Sequence, residues 1–529
     1  MAAAETRRQL TSYIRIGAGV LLVLLVLLAA SVKLESAPPL WWDEGWTLSV
    51  ARNWVERGYY GRLLAGKPAP PGLEATFPVS FPVSVAFQLF GVGVWQGRLA
   101  ILSYMLGTLA VIFYLARRLY NQPIAVATVL VLLFMLPQIE IHPMIVGRQV
   151  LGETPAMFYL LTGYAFFLLA LEGQLWLLPV VVGLWGIALI TKAQVMPFWA
   201  ASLIVPLATA LWSKNWMRSS LFAMSFICSG MLYAILLWLW HGFLQQTFPQ
   251  SPLLGMYQVT ALVGAIPSRA IALFVVFAYG LPTLLGLCYG VLSFLRSKEK
   301  FAPRSHTEVV RLALLVLAGS WFAWYVTLSV GWARYLFPAV FIGSIFVAAM
   351  LYQLTHHFSV SWTVGNAGSV LRSLRASREG IGALIAILLI VTVFPRTLRM
   401  LYESYVVNAD TSALEVVEFL NTRTSPVSLI ETYDSELFFL LERPYHYPPD
   451  QIHVELNRRT FLNQHLSIDY DPLAADPDYL VVGPHAKLWG LYDDAVQSGA
   501  FRLVYDFSRY SLYRRVRSKS DVPAHYRKW

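Results

Sequence analysis

Charged residues are scarce in this sequence, because Asp, Glu, Lys and Arg together make up 13% of its 529 residues. Soluble domains carry about 25% of these residues. The chain is also 57% hydrophobic. This composition excludes an ordinary soluble protein and predicts an integral membrane protein.

Cysteine is scarce as well. The two cysteines, Cys228 and Cys288, both lie inside apolar segments, so no disulfide framework is indicated. The net charge of +10 would suit a nucleic-acid partner. However, the cations cluster between hydrophobic segments, as the positive-inside rule predicts for a membrane protein. We therefore predict no nucleic-acid partner.

Long apolar runs recur along the first 400 residues. A bilayer span needs about 20 residues, and the runs predict about eleven spans, with the N-terminus in the cytoplasm. The predicted spans are 14–33, 97–116, 122–139, 152–171, 175–191, 195–212, 219–240, 269–295, 310–330, 335–354 and 380–398. Arginines before the first apolar run also suit a signal peptide, but the length of that run and the spans that follow it favour an uncleaved membrane helix.

The spans divide the chain into a polytopic α-helical membrane domain, 1–399, and a small α/β domain, 400–529, predicted to be soluble and extracytoplasmic. In the second domain, 411–421 and 487–498 are predicted helices. Strands are predicted at 427–430 and 479–482, with a closing pair at 501–507 and 510–514. The first outer loop, 34–96, is long and rich in tryptophan and proline.

Several cations on the predicted outer side break the positive-inside trend. We expect each of them to need an anionic partner. They are Arg57, Arg62, Lys67, Arg98, Arg148, Lys192, Arg269 and Arg334.

The first outer loop places Asp43-Glu44 among Trp41, Trp42 and Trp46. A carboxylate acts as a general base when burial or a neighbouring negative charge raises its pKa. The tryptophans supply burial and Glu44 supplies charge. Alternatively, Asp43 caps a helix over 47–57 and the tryptophans form an interfacial belt.

Three further motifs lie on the same predicted side. Glu153, five residues after Arg148, either favours a helix N-terminus or serves as a second acidic site inside the membrane. Lys192 and Arg334 either anchor to the interface or bind the phosphate of a lipid substrate, for which arginine offers a bidentate fork. Together, these motifs indicate a site for a phosphorylated lipid.

Metal binding is less supported. Carboxylates at 43, 44, 140 and 153, with His142, are chemically suited to a hard cation, but their spacing is not that of a ligand set. We therefore assign no metal ligands and predict no required cofactor, and a bound divalent cation is the alternative that this pattern leaves open.

The pattern resembles the GT-C glycosyltransferases, in the branch of protein O-mannosyltransferases and lipid A aminoarabinose transferases (dolichyl-phosphate-mannose-protein mannosyltransferase-like). The resemblance covers about 30–340 and rests on Asp43-Glu44, Arg148…Glu153, "ALITKAQVMP" around Lys192 and "ARYLFP" around Arg334. One departure is Phe77-Pro78-Val79-Ser80-Phe81-Pro82, where many members have a Lys-Pro-Pro-Leu-like cluster.

The resemblance implies an inverting glycosyltransferase of the plasma membrane, acting at the extracytoplasmic face. Its donor would be a polyprenyl-phosphate sugar and its acceptor a hydroxyl of a glycolipid, polysaccharide or protein. Asp43 would be the base with Glu44 beside it, Glu153 the second acid, and Lys192, Arg334 and Arg148 the phosphate-side cations.

A transporter or flippase for lipid-linked glycans is the main alternative, because it would also explain the spans and the charges within them. It would not explain a large outer loop and a soluble outer domain, and no inverted repeat is apparent. A non-catalytic assembly factor is a third alternative, in which Asp43 would be dispensable.

Overall fold

The computed structural model describes residues 26–69, 76–244, 260–296, 305–373, 377–407 and 410–516, together with 19, 21, 23, 24 and 256. The predicted first span, 14–33, therefore lies partly outside the described residues. Most of the described chain up to residue 402 is helical, and residues 430–515 carry strands as well as helices.

The helices before residue 403 are numbered in chain order. They are α1 (Trp42–Arg57), α2 (Phe77–Phe90), α3 (Val94–Leu119), α4 (Gln122–Phe134), α5 (Pro143–Val146), α6 (Glu153–Leu171), α7 (Leu178–Thr191), α8 (Met196–Trp212), α9 (Trp216–Phe243), α10 (Ile266–Val275), α11 (Leu281–Arg296), α12 (His306–Leu328), α13 (Phe337–Leu354), α14 (Val360–Ser373) and α15 (Arg378–Tyr402). Strands β1 (Leu63–Leu64) and β2 (Lys67–Pro68) form a short hairpin between α1 and α2.

Within the described residues, eight helical segments are long and apolar enough to cross a membrane, and a π-turn joins α10 and α11 into one of them. Three shorter apolar helical segments lie at Phe77–Phe90, Gln122–Phe134 and Leu175–Thr191. The second is shorter than the predicted span 122–139 because Pro137 restricts the residue before it to extended conformations. The total of about eleven spans remains a prediction.

Helix α13 lies at the centre of the membrane bundle. Its residues from Phe337 to Leu351 are all buried, and all except Ser344 are apolar. A helix that is hydrophobic all round belongs in the interior of a bundle. At its N-terminal end, the 3₁₀ turn Ala333–Leu336 carries Arg334, so the most enclosed helix fixes the position of this cation.

Residues 410–516 form a five-stranded mixed sheet with helices packed on it. The strand order is β4-β3-β5-β7-β6, with β3 parallel to β4 and β5 and with β7 antiparallel to β5 and β6. The strands are β3 (Ile430–Thr432), β4 (Tyr445–His446), β5 (Tyr479–Val482), β6 (Phe501–Phe507) and β7 (Tyr510–Arg515), and the helices are α16 (Ser412–Arg423), α17 (Asp450–Phe461), α18 (Pro484–Trp489) and α19 (Asp493–Gln497).

This α/β segment packs directly on helix α1. The Ser435 hydroxyl donates a 2.6 Å hydrogen bond to the carbonyl of Trp42. A Cβ at Gly45 would lie 2.2 Å from the Ser435 carbonyl oxygen, so only glycine permits this approach. Arg62 adds a bidentate contact to Asp450, at 3.1 and 2.8 Å. The N-terminal turn of α1 is therefore enclosed between the membrane bundle and the α/β segment.

Candidate active site

A cavity of about 780 Å³ lies at the junction of the membrane bundle and the α/β segment. Its walls include seven of the nine residues singled out in the sequence. These are Trp41, Trp42, Asp43, Trp46, Glu153, Lys192 and Arg334. Glu44 and Arg148 do not line it.

Helix α1 presents Asp43 to the cavity from its first turn. The helix begins at Trp42, with Trp41 at the N-cap position, so the alternative in which Asp43 caps the helix does not apply. Acidic residues favour this turn because of the helix dipole. Successive side chains on a helix diverge by about 100°, so Asp43 and Glu44 face different surroundings.

Asp43 is paired with Arg334 across the cavity. Nη1 of Arg334 donates to Oδ2 of Asp43 at 2.5 Å. The guanidinium also lies 5.3 Å from the ring centroid of Trp332. Burial alone would raise the pKa of Asp43, but the charge and hydrogen bond of Arg334, together with the charges of Lys192 and other nearby groups, hold the pKa below its usual value. Asp43 is therefore ionised at neutral pH.

Lys192 and Glu153 form a second ion pair in the same cavity. Lys192 lies between α7 and α8, where the chain turns, and its ammonium is 5.5 Å from the ring centroid of Tyr335. Glu153 is the first residue of α6 and is nearly fully buried. Each cation of the cavity thus has a carboxylate partner from a different part of the chain.

Glu44 has a different environment from Asp43. Its carboxylate accepts hydrogen bonds from Nε and Nη2 of Arg98, at 2.7 and 2.8 Å, and both side chains are fully buried. The backbone N–H groups of Val150 and Trp41 each donate at 3.2 Å. Its oxygens are occupied by these donors and it does not line the cavity, so this geometry suits holding the start of α1 and gives no support to the predicted catalytic role of Glu44.

Arg148 is also fully buried away from the cavity. Its guanidinium donates to the carbonyls of Ala37, at 2.8 Å, and Ala29, and it lies 4.5 Å from the ring centroid of Tyr405. The predicted contact of Arg148 with a donor phosphate is therefore not supported. These hydrogen bonds instead hold the backbone that precedes α1.

The α/β segment supplies a wall of the cavity that sequence reasoning missed. His453, Asn457 and Phe461 line it from α17, and Trp489 lines it from α18. The spacing of four residues in α17 was a signal for one helix face. Burial lowers the pKa of His453 to about 4, so this imidazole is neutral at neutral pH.

His485 also lines the cavity, and Asp434, Glu436 and His485 place one ligand atom each within 4.8 Å of one another. His485 Nδ1 lies 3.3 Å from Asp434 Oδ1. Burial alone would lower the pKa of His485, but Asp434 and Glu436 raise it above its usual value. Among the described residues, none of the carboxylates considered for a metal in the sequence belongs to such a group.

The fold of this chain also occurs in known proteins. The chain has the fold of the GT-C glycosyltransferases, as the resemblance in its motifs predicted, and residues 76–247 match the family model described as dolichyl-phosphate-mannose-protein mannosyltransferase. Among curated proteins, none matches this sequence significantly.

Among solved structures, the chain is similar to ArnT from Cupriavidus metallidurans bound to undecaprenyl phosphate. The TM-score is 0.61 at 17% identity, with 96% of this chain and 99% of ArnT covered. The apo form of the same protein gives a TM-score of 0.63 at 17% identity, with 95% and 98% covered. The oligosaccharyltransferase of Archaeoglobus fulgidus gives 0.50 at 13% identity, with 95% and 75% covered.

Proposed function

We propose that the protein is an inverting glycosyltransferase that moves a sugar from a polyprenyl-phosphate donor to a hydroxyl acceptor. The observation that carries this proposal is the pairing of Asp43 with Arg334 and of Glu153 with Lys192 in one cavity. The fold shared with ArnT and the family match over 76–247 support the same class of reaction.

The donor phosphate binds at Arg334 and Lys192. Both side chains line the cavity, and each has a carboxylate partner that a phosphate can displace. Arginine binds phosphate with a planar fork of N–H donors. The ArnT structure with undecaprenyl phosphate supports a lipid phosphate as the donor's leaving group. The two cations stabilise the negative charge that develops on that group, which is where electrostatic catalysis is usually largest.

Asp43 is the general base. A phosphate bound at Arg334 shares the guanidinium with Asp43, so the pKa of the carboxyl rises and its basicity increases. The acceptor oxygen attacks the anomeric carbon from the side opposite the phosphate and gives its proton to Asp43. The bond between that carbon and the phosphate oxygen breaks, the phosphate leaves with the electron pair, and the configuration inverts.

The same cavity also gives roles to the tryptophans and to Glu153. Trp41, Trp42 and Trp46 provide the aromatic wall beside Asp43, and Glu153 holds Lys192 in place. No cofactor is required in these steps, because Arg334 and Lys192 contact the phosphate. The site would face outward from the plasma membrane, with a glycolipid, polysaccharide or protein as acceptor.

The test is transfer from synthetic polyprenyl-phosphate sugars by the full-length protein in lipid nanodiscs. We expect the wild type to transfer at least one sugar. The double variant Lys192→Ala/Arg334→Ala should lose polyprenyl-phosphate binding, while Lys214→Ala/Arg296→Ala, which changes cations away from the cavity, should keep it. Unimpaired binding by the cavity variant would refute the phosphate assignment.

A further inference from the structure

The cavity has two chemically different sides. Its charged side, contributed by α1 and the membrane bundle, carries Asp43, Glu140, Glu153, Lys192 and Arg334. Its other side, the α/β wall, consists of His453, Asn457, Phe461, His485, Leu488 and Trp489. Trp42 of α1 lies against this wall, with its ring stacked on His453 at a centroid distance of 5.6 Å.

We propose that the α/β wall, with Trp42, is the acceptor subsite and that it binds a glycan. This inference rests on the proposed function and specifies its acceptor. The wall faces the same cavity as Asp43, as an acceptor hydroxyl must if Asp43 is to take its proton.

The first argument is a set of polar groups that lack partners. The indole nitrogens of Trp42 and Trp489 are buried and have no hydrogen-bond partner within the described part of the chain. Buried tryptophan N–H groups usually find one. Both rings line the cavity, and because the nitrogens themselves have almost no accessible surface, a small rotation of each ring would bring them to an oxygen acceptor of a bound molecule.

His453 provides a further polar group. Its Nδ1 is 2.6 Å from the hydroxyl of Tyr433, which fixes the ring. Across the described ranges, Nε2 has no hydrogen-bond partner. Because the imidazole is neutral, it can exchange a hydrogen bond with a hydroxyl without adding charge to the site. Hydroxyl groups are therefore the ligand chemistry that this position favours.

The second argument concerns shape and apolar character. The rings of Trp42, His453 and Trp489 lie together, with His453 and Trp489 6.0 Å apart at an interplanar angle of 68°. A sugar ring combines an apolar C–H face with a rim of hydroxyl groups. Aromatic faces with a few placed polar groups are the usual lining of a site for such a ligand.

The third argument separates a glycan from a peptide. A peptide commonly binds by adding a strand to an exposed sheet edge. No strand among the described residues lines the cavity. The α/β wall also has no carboxylate or cation facing the cavity in the described ranges, other than His485. The wall therefore favours neutral polyhydroxylated acceptors over peptides.

The experiment compares acceptors for the full-length protein in nanodiscs, with a panel of synthetic polyprenyl-phosphate sugars as donors. The acceptor probes are short gluco-, manno- and arabino-oligosaccharides and Ser/Thr-rich peptides. We expect transfer to an oligosaccharide. His453→Ala should raise the KM for that acceptor by about 10-fold, the loss of roughly one hydrogen bond, with a small change in kcat.

Matched variants separate a binding effect from a folding effect. His453→Gln, which retains a polar group, should recover part of the affinity. His465→Ala changes an exposed histidine of the same segment, outside the cavity, and should leave the KM unchanged. Trp489→Phe removes the indole N–H and keeps an aromatic ring, so it tests the wall even if His453→Ala fails to fold.

The outcomes distinguish the acceptor subsite from the proposed function. Transfer to peptides alone, or to neither probe class by protein that binds polyprenyl phosphate, would overturn the glycan assignment. A wild-type KM in folded His453→Ala and Trp489→Phe would overturn the placement of the subsite. Failure to bind polyprenyl phosphate at all would instead refute the proposed function.

Discussion

Asp43 and Glu44 are adjacent in the sequence and each is paired with an arginine, yet the two pairs differ in burial and in their surroundings. The Glu44–Arg98 pair has no exposed side-chain surface, whereas Asp43 is 36% and Arg334 15% exposed. Backbone groups complete the hydrogen bonding of the first pair. The Asp43–Arg334 pair borders the cavity. A buried, fully bonded pair is suited to holding structure, and an accessible pair is suited to exchange with a ligand.

The strongest test of this contrast is Asp43→Asn. We expect transfer to fall by about 10²–10⁴-fold, the usual contribution of a general base, because asparagine cannot take the proton. Turnover of a polyprenyl-phosphate sugar measures this, and thermal unfolding should change little. Asp410→Asn, in a pair with Arg509 away from the cavity, is the control. A variant that folds and transfers normally would show that Asp43 is not the base.

Glu44→Gln should lower the stability of the protein rather than the turnover of the folded enzyme. It leaves the Arg98 guanidinium buried without a counter-charge, and breaking a buried pair lowers the free energy of unfolding by about 3–5 kcal/mol. We expect a lower midpoint of thermal unfolding, with activity lost in proportion to folded protein. Unchanged stability together with lost turnover would assign Glu44 to catalysis.

Arg334→Lys tests the geometry of the accessible pair. Lysine keeps the charge but loses the fork that binds phosphate with two donors. We expect the Kd for polyprenyl phosphate to rise by about 10-fold, the effect of one charge-assisted hydrogen bond. Arg98→Lys, in contrast, should affect stability more than lipid binding. Equal losses of affinity for polyprenyl phosphate in Arg334→Lys and Arg98→Lys would show that the two pairs do not differ in ligand binding.

The smallest effect concerns pH. Arg334 lowers the pKa of Asp43 in the folded protein. The ion pair therefore stabilises the fold at pH values above the pKa of the unfolded chain, and this stability is lost as the pH falls through the lowered folded value. Arg334→Gln should raise the pKa of Asp43 and shift the acidic limb of kcat/KM to higher pH. A fixed limb would mean that another group controls it.

Sequence reasoning located the charged side of the cavity because Asp43, Glu153, Lys192 and Arg334 all lie at helix ends on one predicted membrane face. It also predicted an anionic partner for Arg98 and for Arg148, which is confirmed for Arg98 and wrong for Arg148. It did not predict whether the partner of each arginine belongs to a bound ligand or to the protein itself. The partner of Arg98 is Glu44, and the guanidinium of Arg148 donates to carbonyl groups. Both contacts depend on long-range packing that spacing does not encode.

The wall formed by α17 and α18 was missed for a related reason. Its residues carry a helix periodicity, but periodicity does not say which surface the helix faces. That choice depends on how Ser435 and Glu436 approach Gly45. The strands at 479–482 and 501–507 were easier to predict, because each is a short β-rich run.

The contact at Gly45 has a consequence for protein engineering. Since the α/β segment presses its backbone against the helix that carries Asp43, a chimera that exchanges this segment between relatives must also exchange the matching turn of α1. Grafting one without the other would displace the reacting carboxylate even if every other cavity residue were retained. The α/β segment and the first turn of α1 must therefore be exchanged together.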